Sequence, residues 1–335
     1  MNILITGGCG FLGARLTRAL LAREQFSLAG RPPATIRRIV LADRIDPPGD
    51  LAADPRILFV RGDLIEQLAC EELPLAEIDA VVHLAAAVSA ECEADLDLGL
   101  RSNLQATLAL LQACRALPRA PMFVFSSSLA VFGGTPQQPL PERIQDDTLP
   151  TPQGSYGSQK FMCEQLVADF GRRGCIDARN VRLMTVSVRP GRPNGAASGF
   201  LSGMIREPLA GLRATVPVPA STRVALASPG ATIAGLVRTL ECPLQQWGAR
   251  TAVNFPSVSL TVGDMAQALR TVAGDSVHAL LDWDVDPAIE RLISSWPGRL
   301  ETVRARSLGL PQDDSFESII RDYIRENPAA IVRPA

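Results

Sequence analysis

The sequence has little of what a metal centre or a charge-relay hydrolase requires. Only two histidines, His83 and His278, occur in 335 residues, too few for a multi-histidine metal site and poor material for a serine–histidine–aspartate triad. The seven cysteines (Cys9, Cys70, Cys92, Cys114, Cys163, Cys175 and Cys242) are scattered, odd in number and without a C-x-x-C pair. Neither disulfides nor a metal are expected, and reduced thiols suit a cytoplasmic protein. An excess of either charge is also absent: 33 Lys plus Arg against 35 Asp plus Glu leave a net charge of −2. Without a basic field or a basic block, no nucleic-acid partner is expected. No apolar run approaches the ~20 residues that span a bilayer, so no membrane partner is expected. The opening Met1-Asn2-Ile3-Leu4-Ile5-Thr6-Gly7 lacks the charged region of a secretory signal and reads as a first strand.

What is present is core material. At 47% hydrophobic and 20% charged, the chain can bury one large domain, or one plus a smaller lobe. Short β-branched runs at 2–6, 39–42, 57–60, 80–84 and 123–126 alternate with helical stretches at 11–23 and 103–116. Leu12, Leu16, Ala19 and Leu20 form one helical stripe, and Leu104, Leu108, Leu111 and Ala113 form another. Strands apolar on both faces and joined by helices predict a parallel, doubly wound α/β sheet. Further strands are expected at 182–188 and 252–255. After Pro190 the composition turns to Gly, Pro and Ser, so residues 1–190 are expected to form the sheet domain, with a return strand near 251–256, and 191–335 a smaller C-terminal substrate-binding lobe.

Thr6-Gly7-Gly8-Cys9-Gly10-Phe11-Leu12-Gly13 follows the first strand and opens a helix. Gly7 permits a tight turn, Gly10 removes a Cβ from the path of a pyrophosphate, and Gly13 lets helix approach strand, with the helix N-terminus facing the anion. Asp43 ends the second strand, where a carboxylate accepts bonds from ribose hydroxyls and repels a 2′-phosphate, so NAD is expected over NADP. Asp63, in Gly62-Asp63-Leu64 after the third strand, is a candidate for the adenine amino group, with a helix N-cap as its alternative use.

Tyr156-Gly157-Ser158-Gln159-Lys160 places a phenol and an ammonium one helical turn apart. A tyrosine that exchanges a proton with an alcohol near neutral pH needs a positive charge to favour its phenolate, and Lys160 is expected to supply it.

In this order the glycine loop, Asp43, Gly62-Asp63-Leu64, His83-Leu84-Ala85-Ala86, Asn103, Phe125-Ser126-Ser127-Ser128 and Tyr156 to Lys160 resemble the extended short-chain dehydrogenase/reductases related to nucleotide-sugar epimerases. The resemblance implies a Rossmann-type fold. It also implies a catalytic set of Tyr156, Lys160 and Ser128, with Ser127 as the fallback serine. A cofactor site is implied at Gly7, Gly10, Phe11, Leu12, Gly13, Asp43, Asp63, Leu64, Leu84, Ala85, Ala86, Asn103, Ser126, Tyr156, Lys160 and Val186. His83 reads as a strand-end buttress of the cofactor loop, and Asn103 as a bridge between backbone groups. The dehydratases of the family carry an acidic pair after the catalytic hydroxyl. Leu129-Ala130 stands there instead, which disfavours dehydration.

Beyond Lys160, segments such as Val188-Arg189-Pro190-Gly191-Arg192-Pro193-Asn194 and Ser294-Ser295-Trp296-Pro297-Gly298 are similar to a sugar-acid dehydrogenase branch of that family. The implied reaction is NAD-dependent oxidation of the C2 hydroxyl of D-erythronate. A buried carboxylate needs a cation, and guanidinium offers a two-pronged match. Arg223 is the first choice, with Arg206 and Arg189 as alternatives, and Ser89, Ser128, Tyr156, Thr185 and Asn194 are expected to meet the substrate's polar groups. Helices around 103–116 and 156–170, with Met162, Cys163, Leu166 and Phe170, are expected to pair two copies into a homodimer.

Overall fold

The computed structural model describes residues 1–191 and 197–332. Seven strands form one parallel sheet: β1 (Asn2–Thr6), β2 (Arg38–Asp43), β3 (Ile57–Arg61), β4 (Ala80–His83), β5 (Met122–Ser128), β6 (Asp177–Leu183) and a late strand at Val253–Asn254. Smaller strands are β7 (Thr185–Val186), β8 (Ala214–Val216), β9 (Arg223–Ala227), β10 for the late strand just named, β11 (Val258–Thr261) and β12 (Leu281–Trp283). The large sheet runs β10-β6-β5-β4-β1-β2-β3. The chain therefore winds outward from β1 to β3 and then restarts on the other side of β1 at β4, which opens a crevice at the carboxyl ends of β1 and β4.

Alternation along β1 shows why the sheet is double-sided. Ile3 and Ile5 pack with Leu16, Leu20, Leu41 and Val82, under the helix Phe11–Leu21. Leu4 faces the other way, with Val40, Val81, Phe123, Leu110 and Val167, under the helices Ala106–Arg115 and Ser155–Arg172. A separate core around Leu201, Met204, Val216, Leu226, Met265 and Ile320 is built from β8, β9 and the helices Phe200–Leu209, Val262–Ala273 and Phe316–Glu326.

Three local expectations change. The strand expected at 182–188 begins at Asp177 and breaks at Met184, after which β7 joins β9 in a different sheet. Its polar residues conceal it: Arg179 is fully buried, pairs with Asp177 at 2.6 Å and lies over Trp247, while Arg182 pairs with Glu164. The helix expected from 103 is preceded by a π-helical turn over Leu100–Gln105. Cys163 is buried in the chain's own core, so it cannot serve an intermolecular seam, whereas Met162 on the same helix is 41% exposed.

Candidate active site

The glycine loop leads from β1 into the helix Phe11–Leu21. Gly7 takes φ +67°, and a Cβ on Gly13 would stand 2.2 Å from the Gly7 carbonyl oxygen; only glycine allows this approach. Gly10 begins the helix without any side-chain cap, leaving the first N–H groups directed at the crevice. At the end of β2, Asp43 Oδ2 accepts the Cys9 N–H at 2.9 Å and Oδ1 accepts the Arg44 N–H at 2.7 Å. The carboxylate thus ties the loop to the sheet while still lining the crevice. A Cβ-free cradle, an uncapped helix N-terminus and a strand-end carboxylate fit a dinucleotide.

This crevice is a cleft of about 590 Å³, and Gly7, Gly10, Phe11, Leu12, Gly13, Asp43, Asp63, Leu64, Leu84, Ala85, Ala86, Ser126 and Val186 all line it. Asp63 lines it but also caps the helix Leu64–Ala69 through the Ile65 N–H and pairs with Arg44 and Arg101. Burial alone would raise its carboxyl; the Arg44 and Ile65 hydrogen bonds and the two guanidiniums bring it below the ordinary value. Asn103 does not line the cleft. It is 2% exposed and lies behind the wall, where its side chain accepts the Ala87 N–H at 2.8 Å and donates to the Gln159 carbonyl oxygen at 2.8 Å. His83 is buried, hydrogen-bonded through both ring nitrogens to Thr6 and Thr107, and held neutral by burial, which lowers it to about 3.

At the other end of the cleft lie Ser128, at the tip of β5, and Tyr156 and Lys160, one turn apart on the helix Ser155–Arg172. Lys160 Nζ donates to the Ser126 carbonyl at 2.9 Å and stands 5.7 Å from the Tyr156 ring centre. Burial lowers the ammonium to about 8. The Tyr156 phenol goes the opposite way from the sequence-based expectation: burial pushes it up to about 12, and a hydrogen bond with Ser128 only partly opposes this. Loss of water around the phenol outweighs the nearby cation, which is itself desolvated. The two serines separate cleanly. Ser127 donates to Glu164, which also takes Arg182 at 2.9 and 2.8 Å, whereas the Ser128 oxygen accepts only the Ala130 N–H and meets Tyr156.

The arginines are sorted by geometry. Arg223, the first choice, does not reach this cleft; it is exposed and lines a second one. It sits on β9 where that strand pairs with β11, and it lines the second cleft together with Trp296. Arg206 is turned away, donating to the Arg189 carbonyl at 2.8 Å and pairing with Glu207. Arg189 lines the cleft, together with Ser89 and Thr185, and among the described residues no carboxylate lies within ion-pair distance of it. Its guanidinium is lowered by burial and by the neighbouring Arg206. Asn194 lies outside the described residues. Trp296 and Glu164 were missed from sequence. Glu164 was findable, because Tyr156, Lys160 and Glu164 recur every fourth residue on one helix face.

A Rossmann-type sheet, a dinucleotide cradle and a serine–tyrosine–lysine cluster lining one cleft define a class of nicotinamide-dependent proteins. The chain belongs to the NAD dependent epimerase/dehydratase family, whose model matches residues 3–223. It is 45% identical to D-erythronate dehydrogenase of Cupriavidus necator over 97% of this chain and 98% of that one. It is 39% identical to D-erythronate dehydrogenase of Haemophilus influenzae, covering 97% and 99%. Among solved structures, that of a nucleoside-diphosphate-sugar epimerase from Agrobacterium tumefaciens matches with a TM-score of 0.89 at 38% identity, covering 98% of this chain and 95% of that one. No helix among the described residues is long and apolar enough to cross a membrane.

Proposed function

We propose that the protein oxidises the C2 hydroxyl of a four-carbon sugar acid, D-erythronate, to the 2-oxo acid with NAD⁺. The observation that carries this reading is one cleft that holds the glycine cradle, the Ser128–Tyr156–Lys160 cluster and, in Arg189, a guanidinium without a carboxylate partner among the described residues. Near-full-length similarity to two D-erythronate dehydrogenases supports it.

In this scheme Arg189 grips the substrate carboxylate. Its backbone is fixed by Ser202, which accepts the N–H at 3.1 Å, and by Arg206 on its carbonyl. Of these two arginines only Arg206 has a carboxylate partner among the described residues, Glu207, so the corner carries surplus positive charge that an acid neutralises. Ser128 donates to the C2 oxygen and Tyr156, as phenolate, takes its proton. Lys160, fixed to the Ser126 carbonyl, provides the cation that stabilises the phenolate. NAD⁺ held in the cleft would supply the hydride acceptor for C2 and a positive ring charge that favours phenolate. Asp43 and the helix N-terminus hold the adenosine and phosphates, and Leu84, Ala85 and Ala86 exclude water from the path between. We read the assembly as a homodimer joined partly through the exposed face around Met162, to be checked by sedimentation.

The test is a panel of aldonic acids with NAD⁺ and with NADP⁺, followed by absorbance of the reduced nicotinamide. D-Erythronate with NAD⁺ is expected to give the highest kcat/KM. The similarity to a structure described as a nucleoside-diphosphate-sugar epimerase favours a second reading. Tightly held NAD, turnover of a UDP-sugar and no reduced cofactor from any acid would establish that reading instead.

A further inference from the structure

Beside the active cleft lies a second one of about 480 Å³, lined by Ser221, Thr222, Arg223, Glu290 and the ion-paired Glu142 and Arg299. Among the described residues Trp296 is the one side chain that lines both. Its ring packs at once against the core of the large sheet and the core of the smaller strands. The segment that carries it is fixed on both sides. The Ser295 carbonyl accepts the Gly134 N–H at 2.9 Å, the Arg299 carbonyl accepts the Ile144 N–H at 3.1 Å, and Ser259 donates to the Gly298 carbonyl. Gly298 lies so close to β9 that a Cβ there would stand 2.6 Å from Arg223 Cγ. Trp296 is therefore a wall held in place at its base.

We propose that Trp296 sets the length of substrate the enzyme accepts, by partitioning the active cleft from a neighbouring polar cleft that would otherwise receive the tail of a longer acid. This rests on the reading that the cleft oxidises a sugar acid. A chain held by its carboxylate at Arg189 and by its C2 oxygen at Ser128 and Tyr156 must send its remaining carbons toward the unclaimed part of the cleft. Beyond the indole, the hydroxyls of Ser221, Thr222 and Ser294 and the guanidinium of Arg223, which has no carboxylate within ion-pair distance among the described residues, suit hydroxylated carbons and a terminal carboxylate.

The test compares wild type, W296F, W296L and W296A on D-erythronate, a six-carbon aldonate and a six-carbon aldarate. W296A is expected to raise the ratio of six-carbon to four-carbon kcat/KM at least about tenfold, the scale on which pocket size discriminates substrates, with W296L and W296F giving smaller gains. Adding R223A to W296A should remove the gain for the aldarate, whose far end is charged, more than for the aldonate. Binding of the aldarate measured by calorimetry should tighten by a similar factor, which tests the partition whether or not any acid is oxidised. An unchanged length ratio and unchanged aldarate binding, in whichever of the three variants melt within a few degrees of wild type, overturn the proposal. Failure of the wild type to oxidise any acid counts against the assigned reaction and leaves the binding result to decide the partition.

Discussion

Replacing Lys160 with methionine is expected to stabilise the fold at neutral pH while abolishing turnover. The ammonium is 2% exposed, and burial lowers it from 10.5 to about 8. Holding that charge inside costs about 3 kcal/mol relative to a lysine in water, at about 1.4 kcal/mol per pH unit. This figure is already net of the bond to the Ser126 carbonyl and of the Phe125 ring 4.8 Å away, so the variant should gain up to about 3 kcal/mol at pH 7. Its pH dependence is more diagnostic than its size. Between pH 8 and 10.5 the unfolded chain still holds the lysine proton and the folded protein has released it, so wild-type stability rises with pH across that window. K160M lacks this rise, and its advantage should shrink by about 1.4 kcal/mol per pH unit above 8 and be largely gone by about pH 10. Tyr156, raised in the fold to about 12, acts in the opposite sense only above pH 10. Urea unfolding of both proteins at pH 7, 8, 9 and 10 measures the difference. A difference that stays flat with pH would refute the claim that a desolvated ammonium sits beside Tyr156.

Tyr156→Phe should lower kcat roughly 10³-fold, within the usual range for a general acid–base group, with NAD⁺ affinity nearly unchanged by fluorescence titration. Because burial raises the phenol, wild-type kcat/KM should climb with pH above neutrality, and this climb should be absent from the residual activity of the variant. Arg189→Ala should raise the KM for the acid at least about tenfold, the loss expected for a charge-assisted pair, whereas Arg223→Ala should change it less than about twofold in steady-state kinetics. Glu164→Gln leaves the buried Arg182 without its counter-charge and should destabilise by about 3–5 kcal/mol, while the paired change to methionine at 164 and 182 should recover at least half of that in the same unfolding assay.

The parts of the site that were legible in sequence are those whose geometry is local. A glycine every third residue after a strand and a phenol four residues before a lysine specify shape over one turn of chain, and both stand where they were expected. The three arginines could not be ranked this way. Arg189, Arg206 and Arg223 are all carboxylate ligands by type, but their directions depend on contacts that residue type does not reveal: the adjacent Glu207 and the Arg189 carbonyl for one, the β9–β11 pairing for another. Nor could the sign of the Tyr156 perturbation be read, since proximity of a lysine is a matter of spacing whereas loss of water depends on everything that packs around the pair.

The mistaken boundary of β6 and the missed Glu164 have a common cause. Hydrophobic periodicity cannot recognise Asp-Ala-Arg-Asn-Val-Arg-Leu as a buried strand, because three of its polar side chains are buried by virtue of specific partners: Asp177 within the strand and the distant Trp247 for Arg179, and Glu164 on a helix for Asn180 and Arg182. Glu164 lies on the same helix face as Tyr156 and Lys160, and it joins that helix to Ser127 on β5 and Arg182 on β6. A purely apolar contact there would let the helix slide at little cost, since dispersion and burial are non-directional. A buried, directional pair fixes its register against the strand that carries Ser128. The departure from hydrophobic pattern thus coincides with the place where the site must be held in register, which is where local rules are expected to yield to function.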